Sequence, residues 1–219
     1  ALLGEDWSLS ERRILNHYKN RRWLPLPFSA MLTEAQKEAV EEDLGEGLEL
    51  FPTYQRHYPG GTSSCHIIGY VGKKARVPTG PVASGEPLWP FTEGREGLEV
   101  TFDRHLQGTP GSINYLFDAD GLKLGEEIVR QPLPGKNVVT AIDSRMQQLA
   151  EKALADFTDR GAFVVMDVHS GDIYAMASRP TYDLNTWIPA ISTAEFRALQ
   201  EDPDLPLFPR AFRGQYPPA

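Results

Sequence analysis

The chain has a single cysteine, Cys65, among 219 residues. That excludes an internal disulfide and any cysteine-rich metal site. No stretch approaches the roughly 18 apolar residues a membrane span needs, and no signal-like apolar segment opens the sequence. Basic charge is also in short supply: the formal net charge is −8. A groove for nucleic acid is therefore not expected, and the pairs Arg12-Arg13 and Arg21-Arg22 read as solvated faces. The five histidines (His17, His57, His66, His105, His169) share no metal-ligand spacing such as HExxH. No serine stands in a GxSxG or SxxK context. Asp118-Ala119-Asp120-Gly121 begins like a calcium loop, but Lys123 and Val129 occupy the positions that need glycine and glutamate. Gly94-Arg95-Glu96-Gly97 lacks the third glycine of a phosphate cradle and reads as a tight turn. Asp167 and Asp172 flank a loop as turn carboxylates, not as a catalytic pair.

What is present is a soluble-protein balance, 41% hydrophobic and 24% charged residues, with enough length for one large domain or two small ones. The clearest unit lies between 143 and 185. Asp143 is a suitable N-cap, and Met146, Leu149, Ala150, Ala153, Leu154 and Phe157 recur at helical spacing, so one face of a helix over 143–157 should be buried. Ala162–Met166 and Ile173–Ala177, joined by His169-Ser170-Gly171-Asp172, read as a β-hairpin. Helix laid on antiparallel sheet is the expected arrangement.

Upstream, residues 9–24 suggest a short helix ended by Leu24-Pro25-Leu26-Pro27. Thr33-Glu34-Ala35-Gln36 is a capping box for a helix reaching about Leu44, where Gly45 and Gly47 stop it. Leu48–Tyr58 alternates as a strand ending at Tyr58-Pro59-Gly60-Gly61, and residues 76–91, rich in proline, form a loop. Ile113–Phe117 and Leu122–Arg130 flank Asp118–Gly121 as a hairpin, and Val138–Ile142 is a further strand. Ser192-Thr193-Ala194-Glu195 caps a last helix through Leu199; the tail from Leu205 reads as extended. A domain boundary is expected near 132–135, dividing the chain into 1–134 and 135–219.

Several segments carry a resemblance. Arg56-His57-Tyr58-Pro59 with His66-Ile67-Ile68-Gly69-Tyr70-Val71-Gly72 resembles an R-x-Y-P … H-x-x-G-Y-V-G block of the class B penicillin-binding proteins, the peptidoglycan D,D-transpeptidases. Within them it is most similar to the elongation type, penicillin-binding protein 2. Gly94-x-x-Gly97-Leu98-Glu99 with Asp103, Leu106, Gly108 and Gly111 resembles the next block, and Pro134–Gln147 the entry to the transpeptidase domain. Val164–Asn185, including Asp167, Gly171, Asp172 and Asn185, resembles the first hairpin of that domain. Asp202-Pro203 through Arg210-Ala211, then Tyr216-Pro217-Pro218-Ala219, is similar to the segment before the nucleophile; Pro209 stands where the family commonly has asparagine.

The resemblance implies an α+β chain: a strand-rich, dimerisation-type pedestal over 1–134, then the first helix and hairpin of a penicillin-binding transpeptidase domain over 135–219. It implies a serine acyl-enzyme in the parent protein, with stem peptides as substrates, β-lactams as mimics and no cofactor. The family's Ser-x-x-Lys is expected just after Ala219, so this segment alone should be inert, with no catalytic residue of its own. The motif-matching positions Arg56, Tyr58, Pro59, Gly69, Tyr70, Gly97, Glu99, Asp167, Gly171, Asn185, Arg210, Tyr216 and Pro217 are expected to be structural. Implied partners are the proteins of the cell-elongation complex, a membrane glycosyltransferase and a scaffold protein. The implied place is the extracytoplasmic face of the inner membrane, with an anchor upstream of this segment. The alternative is a non-catalytic binding module of a cell-wall assembly complex.

Overall fold

The computed structural model describes residues 10–26, 32–42, 44, 48, 50, 55–74, 80–81, 83, 86, 92–120 and 122–216. The fold is α+β, and its chain falls into two compact units. One gathers 1–54, 76–89 and 112–130; the other gathers 55–75, 90–111 and 131–219. This division runs differently from the expected line near 134. The segments 55–75 and 90–111 cluster with the C-terminal part because their side chains bond to it, as described below.

In the first unit, helix α1 spans Glu11–Arg21, and His17 Nε2 bonds the Leu24 carbonyl at 2.8 Å where the helix gives way to proline. Helix α2 spans Glu34–Glu42 and opens with the expected box: Thr33 Oγ1 accepts from the Gln36 amide at 3.3 Å, and Gln36 Oε1 accepts from the Thr33 amide at 3.0 Å. The glycines expected to end α2 lie outside the described residues. Arg21 is buried, donates to the Gly80 carbonyl and pairs twice with Glu86. Two strands numbered here β3 (Ser112–Phe117) and β4 (Lys123–Arg130) form the expected hairpin. Its turn is built by Asp118 Oδ1, which accepts from the amides of Asp120 and Leu122.

In the second unit, α3 (Cys65–Ile68) leads into β1 (Val71–Lys73), which pairs antiparallel with β2 (Thr92–Gly94). Short helices α4 (Gly97–Thr101) and α5 (Asp103–Leu106) follow. Of the strand expected over 48–58, residues 48, 50 and 55–58 lie in no strand and the others are outside the described residues.

Helix α6 spans Ser144–Phe157, with Asp143 Oδ1 accepting from the amides of Arg145 and Met146 as a cap should. Strands β5 (Gly161–Met166) and β6 (Ile173–Arg179) make the expected hairpin. The buried face of α6 differs from the one hydropathy suggests. Gln147, Ala150 and Leu154 are buried, whereas Met146, Leu149 and Phe157 are exposed. The cause is Gln147: its Oε1 accepts from the Met176 amide (2.7 Å) and its Nε2 donates to the Met176 carbonyl (3.2 Å). With the Asp143 amide donating to the Tyr174 carbonyl, the helix is rotated so that a polar residue faces β6. The core beneath is Ala150, Leu154, Ala175 and Ala177.

Val138–Ile142 is not a strand: Val139 is 92% exposed, and no ladder forms along this stretch. After a 3₁₀ turn at Leu184–Trp187, α7 (Thr193–Glu201) starts with a complete capping box between Ser192 and Glu195. The tail from Leu205 is not extended. It curls and enters α8, Arg210–Arg213, because the Arg210 guanidinium draws in the carbonyls of Asp204, Leu205 and Phe208.

Candidate functional site

Seven of the motif-matching residues meet in the second unit. Glu99, on α4, is 5% exposed, a position where an unpaired carboxylate would be costly. It is fully paired. Arg56 approaches it with two nitrogens, Nε at 2.8 Å and Nη2 at 2.8 Å, the fork geometry that suits a carboxylate. The Tyr58 hydroxyl donates to the same Oε1 at 3.2 Å. Burial, reinforced by the Glu99 charge, pushes the Tyr58 phenol well above its ordinary value, so it remains a donor.

Asn185 holds the backbone of the same tyrosine. Its Oδ1 accepts from the Tyr58 amide (3.1 Å) and its Nδ2 donates to the Tyr58 carbonyl (2.9 Å). A side-chain amide thus does for an isolated residue what a neighbouring strand would do. Asn185 is itself aimed by Asp183 Oδ1, which accepts from the Asn185 amide at 2.8 Å.

Gly69 and Gly97 are where the two blocks touch. Gly69 adopts φ +74°, and a Cβ there would lie 1.9 Å from the Glu96 carbonyl oxygen. Gly97, at φ +59°, would press a Cβ against the Ile67 carbonyl and the Gly69 amide. Only glycine fits either place. Tyr70 then stacks on Trp187, ring centroids 3.4 Å apart and planes within 11°. Tyr182 meets Trp187 edge-on, and the cluster of Tyr58, Cys65, Tyr182, Leu184 and Trp187 forms the core of this region.

The other motif residues lie elsewhere. Pro59 is exposed at the turn that the Gly61 amide closes on the Tyr58 carbonyl. Asp167 and Gly171 build the β5–β6 turn. Asp167 Oδ1 accepts from the amides of Ser170 and His169, which hold its carboxyl below the usual range, and Gly171 sits at φ +79°. Arg210 is buried in the turn before α8. Tyr216 is 64% exposed, and Pro217 lies outside the described residues. An open groove of about 950 Å³ runs along Tyr18–Leu24 and Ile113–Phe117 in the first unit, and none of the motif residues lines it.

The cluster positions backbone; it does not supply a nucleophile beside a base. The chain's one thiol, Cys65, is 1% exposed and its pKa is pushed up by burial to about 12. Reading the sequence by periodicity overlooks Trp187, Tyr182 and the role of Gln147. The signal available for the first two is the aromatic density of Thr181–Trp187; a glutamine on a helix face gives none.

The arrangement is a structural joint between stretches far apart in sequence. The chain belongs to the penicillin-binding protein family: residues 5–140 match the Penicillin-binding Protein dimerisation domain. It is 31% identical over 221 aligned positions to the peptidoglycan D,D-transpeptidase MrdA of Haemophilus influenzae, covering 96% of this chain and 34% of that protein. Among solved structures, the complex between penicillin-binding protein 2 and MreC from Helicobacter pylori matches with a TM-score of 0.68 and 25% identity, over 92% of this chain and 38% of that one. A structure on the coordination of polymerization and crosslinking by a peptidoglycan synthase complex matches with a TM-score of 0.61 and 27% identity, over 94% of this chain and 39% of that one. The chain therefore spans about a third of the length of the relatives it matches. No helix among the described residues is long and apolar enough to cross a membrane.

Proposed function

We propose that this chain is the pedestal and leading portion of the catalytic domain of a serine-type peptidoglycan D,D-transpeptidase of the elongation type. Residues 1–134 serve as the pedestal and 135–219 open the transpeptidase domain. In the parent protein a serine attacks the stem-peptide carbonyl before the terminal D-alanine and expels that D-alanine. A neighbouring stem-peptide amine then takes the acyl group, and β-lactams trap the same serine. These 219 residues contain no Ser-x-x-Lys. Their part is to hold the catalytic domain and to meet partners at the extracytoplasmic face of the inner membrane, a scaffold protein and a membrane glycosyltransferase. The MreC and peptidoglycan synthase complexes of the structural relatives support that reading.

The observation that carries the proposal is the joining of Arg56, Tyr58 and Glu99 to Asn185. It makes the pedestal motifs a mounting for the hairpin that begins the catalytic domain. A fluorescent penicillin tests it. The full-length protein should become covalently labelled and the 219-residue chain should not; labelling of the short chain, or none of the full-length protein, overturns the reading.

A further inference from the structure

Helix α1 is turned inside out. A surface helix ordinarily buries its apolar stripe and shows its charges to solvent. In α1 the buried residue is Arg21, held by the Gly80 carbonyl and the Glu86 carboxylate. Asn16, His17 and Asn20 are half-buried. His17 Nε2 bonds the Leu24 carbonyl, and Asn20 Nδ2 donates to the carbonyl and side chain of Asn16. Facing solvent instead are Ile14, Leu15 and Tyr18, 46%, 50% and 64% exposed. The polar anchors on the inner side fix the apolar side outward.

Cations accompany that face. Ile14, Tyr18 and Arg22 follow one another at four-residue steps, and Leu15 and Lys19 run beside them. Arg12, Lys19 and Arg22 are exposed, and among the described residues none of the three pairs with a carboxylate. The Arg22 guanidinium lies 3.8 Å over the Trp23 ring. Residues 11–22 hold five basic side chains and one acidic, Glu11, in a chain whose net charge is −8. The open groove along Tyr18–Leu24 continues the face: Lys19, Arg22 and Trp23 line it with Leu116 of β3, and none of the described residues lining it is acidic.

We propose that this face of α1 lies flat against a membrane of anionic phospholipid, touching the surface and not crossing it. The inference goes beyond the function proposed above and rests on it for one point, the parent protein's place beside a membrane. Ile14, Leu15 and the rings of Tyr18 and Trp23 enter the boundary between headgroups and acyl chains, where aromatic rings with a polar tip are favoured. Arg12, Lys19 and Arg22 lay their stems along that boundary and reach lipid phosphates. Charge selects the side that docks, because the rest of an acidic chain is repelled by an anionic surface. Size favours lipid over a protein partner. A helix of 11 residues is about 16 Å long and about 10 Å across, far below the roughly 800 Å² per partner of a stable protein interface. A few apolar side chains with adjacent cations are enough for a membrane surface.

The test is flotation of the 219-residue chain with vesicles of phosphatidylglycerol and phosphatidylcholine, against vesicles of phosphatidylcholine alone. Wild type should partition at least about tenfold more strongly onto the anionic vesicles, and raising NaCl from about 50 to about 500 mM should remove most of that difference. The double variant Lys19→Glu/Arg22→Glu should lose at least about tenfold in partitioning, and Leu15→Ser/Tyr18→Ser about tenfold. Lys152→Glu/Arg197→Glu makes the same charge change at exposed positions of the other unit and should stay within about twofold of wild type. Circular dichroism melts check that each variant folds; if the apolar variant does not, the charge variant decides. A folded α1 variant that binds like wild type, or a control that loses as much as Lys19→Glu/Arg22→Glu, overturns the proposal. So does a wild type that floats with neither vesicle, which leaves the face to a protein partner. Penicillin labelling of the full-length protein is read separately, so failure of the enzyme reading and failure of the membrane contact are told apart.

Discussion

The two units are built in opposite ways. Among its described residues, the unit containing α1, α2 and the β3–β4 hairpin shows the buried ion pair Arg21–Glu86 and a two-stranded sheet that leaves Leu116, Leu124 and Ile128 more than half exposed. A hairpin of two strands is marginal by itself. The unit containing α3 to α8 interleaves three stretches of chain, and its side chains bind backbone across long separations: Asn185 to Tyr58, Gln147 to Met176, His66 to Pro206. The contrast teaches where rigidity sits in this module, in polar side chains that satisfy backbone groups far away in sequence.

The sharpest way to break the contrast is Gly69→Ala. A methyl group 1.9 Å from a carbonyl oxygen at positive φ cannot be absorbed without moving backbone. We expect the cooperative transition of the α3–α8 unit to be lost, or weakened by more than about 3 kcal/mol, in urea unfolding followed by tryptophan fluorescence. Glu99→Ala comes next. It strands Arg56 and the Tyr58 hydroxyl, and since Arg56 is about a third exposed the loss should be about 2–3 kcal/mol. Adding Arg56→Ala to it should recover part of that loss, which a double-mutant cycle reads directly.

Gln147→Leu should cost about 2 kcal/mol, since the Met176 amide and carbonyl lose their partners although the helix face becomes more apolar. A gain in stability would show that hydropathy, not hydrogen bonding, orients α6. The smallest effect, about 1 kcal/mol, is expected for Arg21→Met, confined to the other unit. Its signature is in pH. Hydrogen bonds from Arg21 hold the Glu86 carboxyl below its usual value, so the folded state binds that proton less readily than the unfolded one. Stability from the pair is present above the ordinary glutamate range and lost as the pH falls through it. Arg21→Met should flatten that acid limb in circular dichroism melts without altering the α3–α8 transition.

Much of this was legible in the chain and some was not, for identifiable reasons. Local signals held: the two capping boxes, the Asp143 cap, the turn that Asp118 closes and both hairpins depend on neighbours within a few residues. The motif blocks pointed to the family but not to their meeting, because Arg56 and Glu99, or Tyr58 and Asn185, are joined by contacts 43 and 127 residues apart in sequence. Hydropathy placed Ala150 and Leu154 of α6 in the core but gave no sign of Gln147, whose amide bonds the Met176 backbone on the same face. It suggested a strand at Val138–Ile142, where no described residue pairs with the backbone as a ladder. The tail looked extended from its prolines, but one guanidinium coils it.

Gln147 has a consequence for assembly. By imitating a neighbouring chain at Met176, while the Asp143 amide does the same at Tyr174, helix α6 seals one border of the β5–β6 ribbon against recruitment of any foreign peptide. Enlargement of that sheet is left to the β5 side, so the ribbon has a direction of growth written into it by one side chain and one backbone amide.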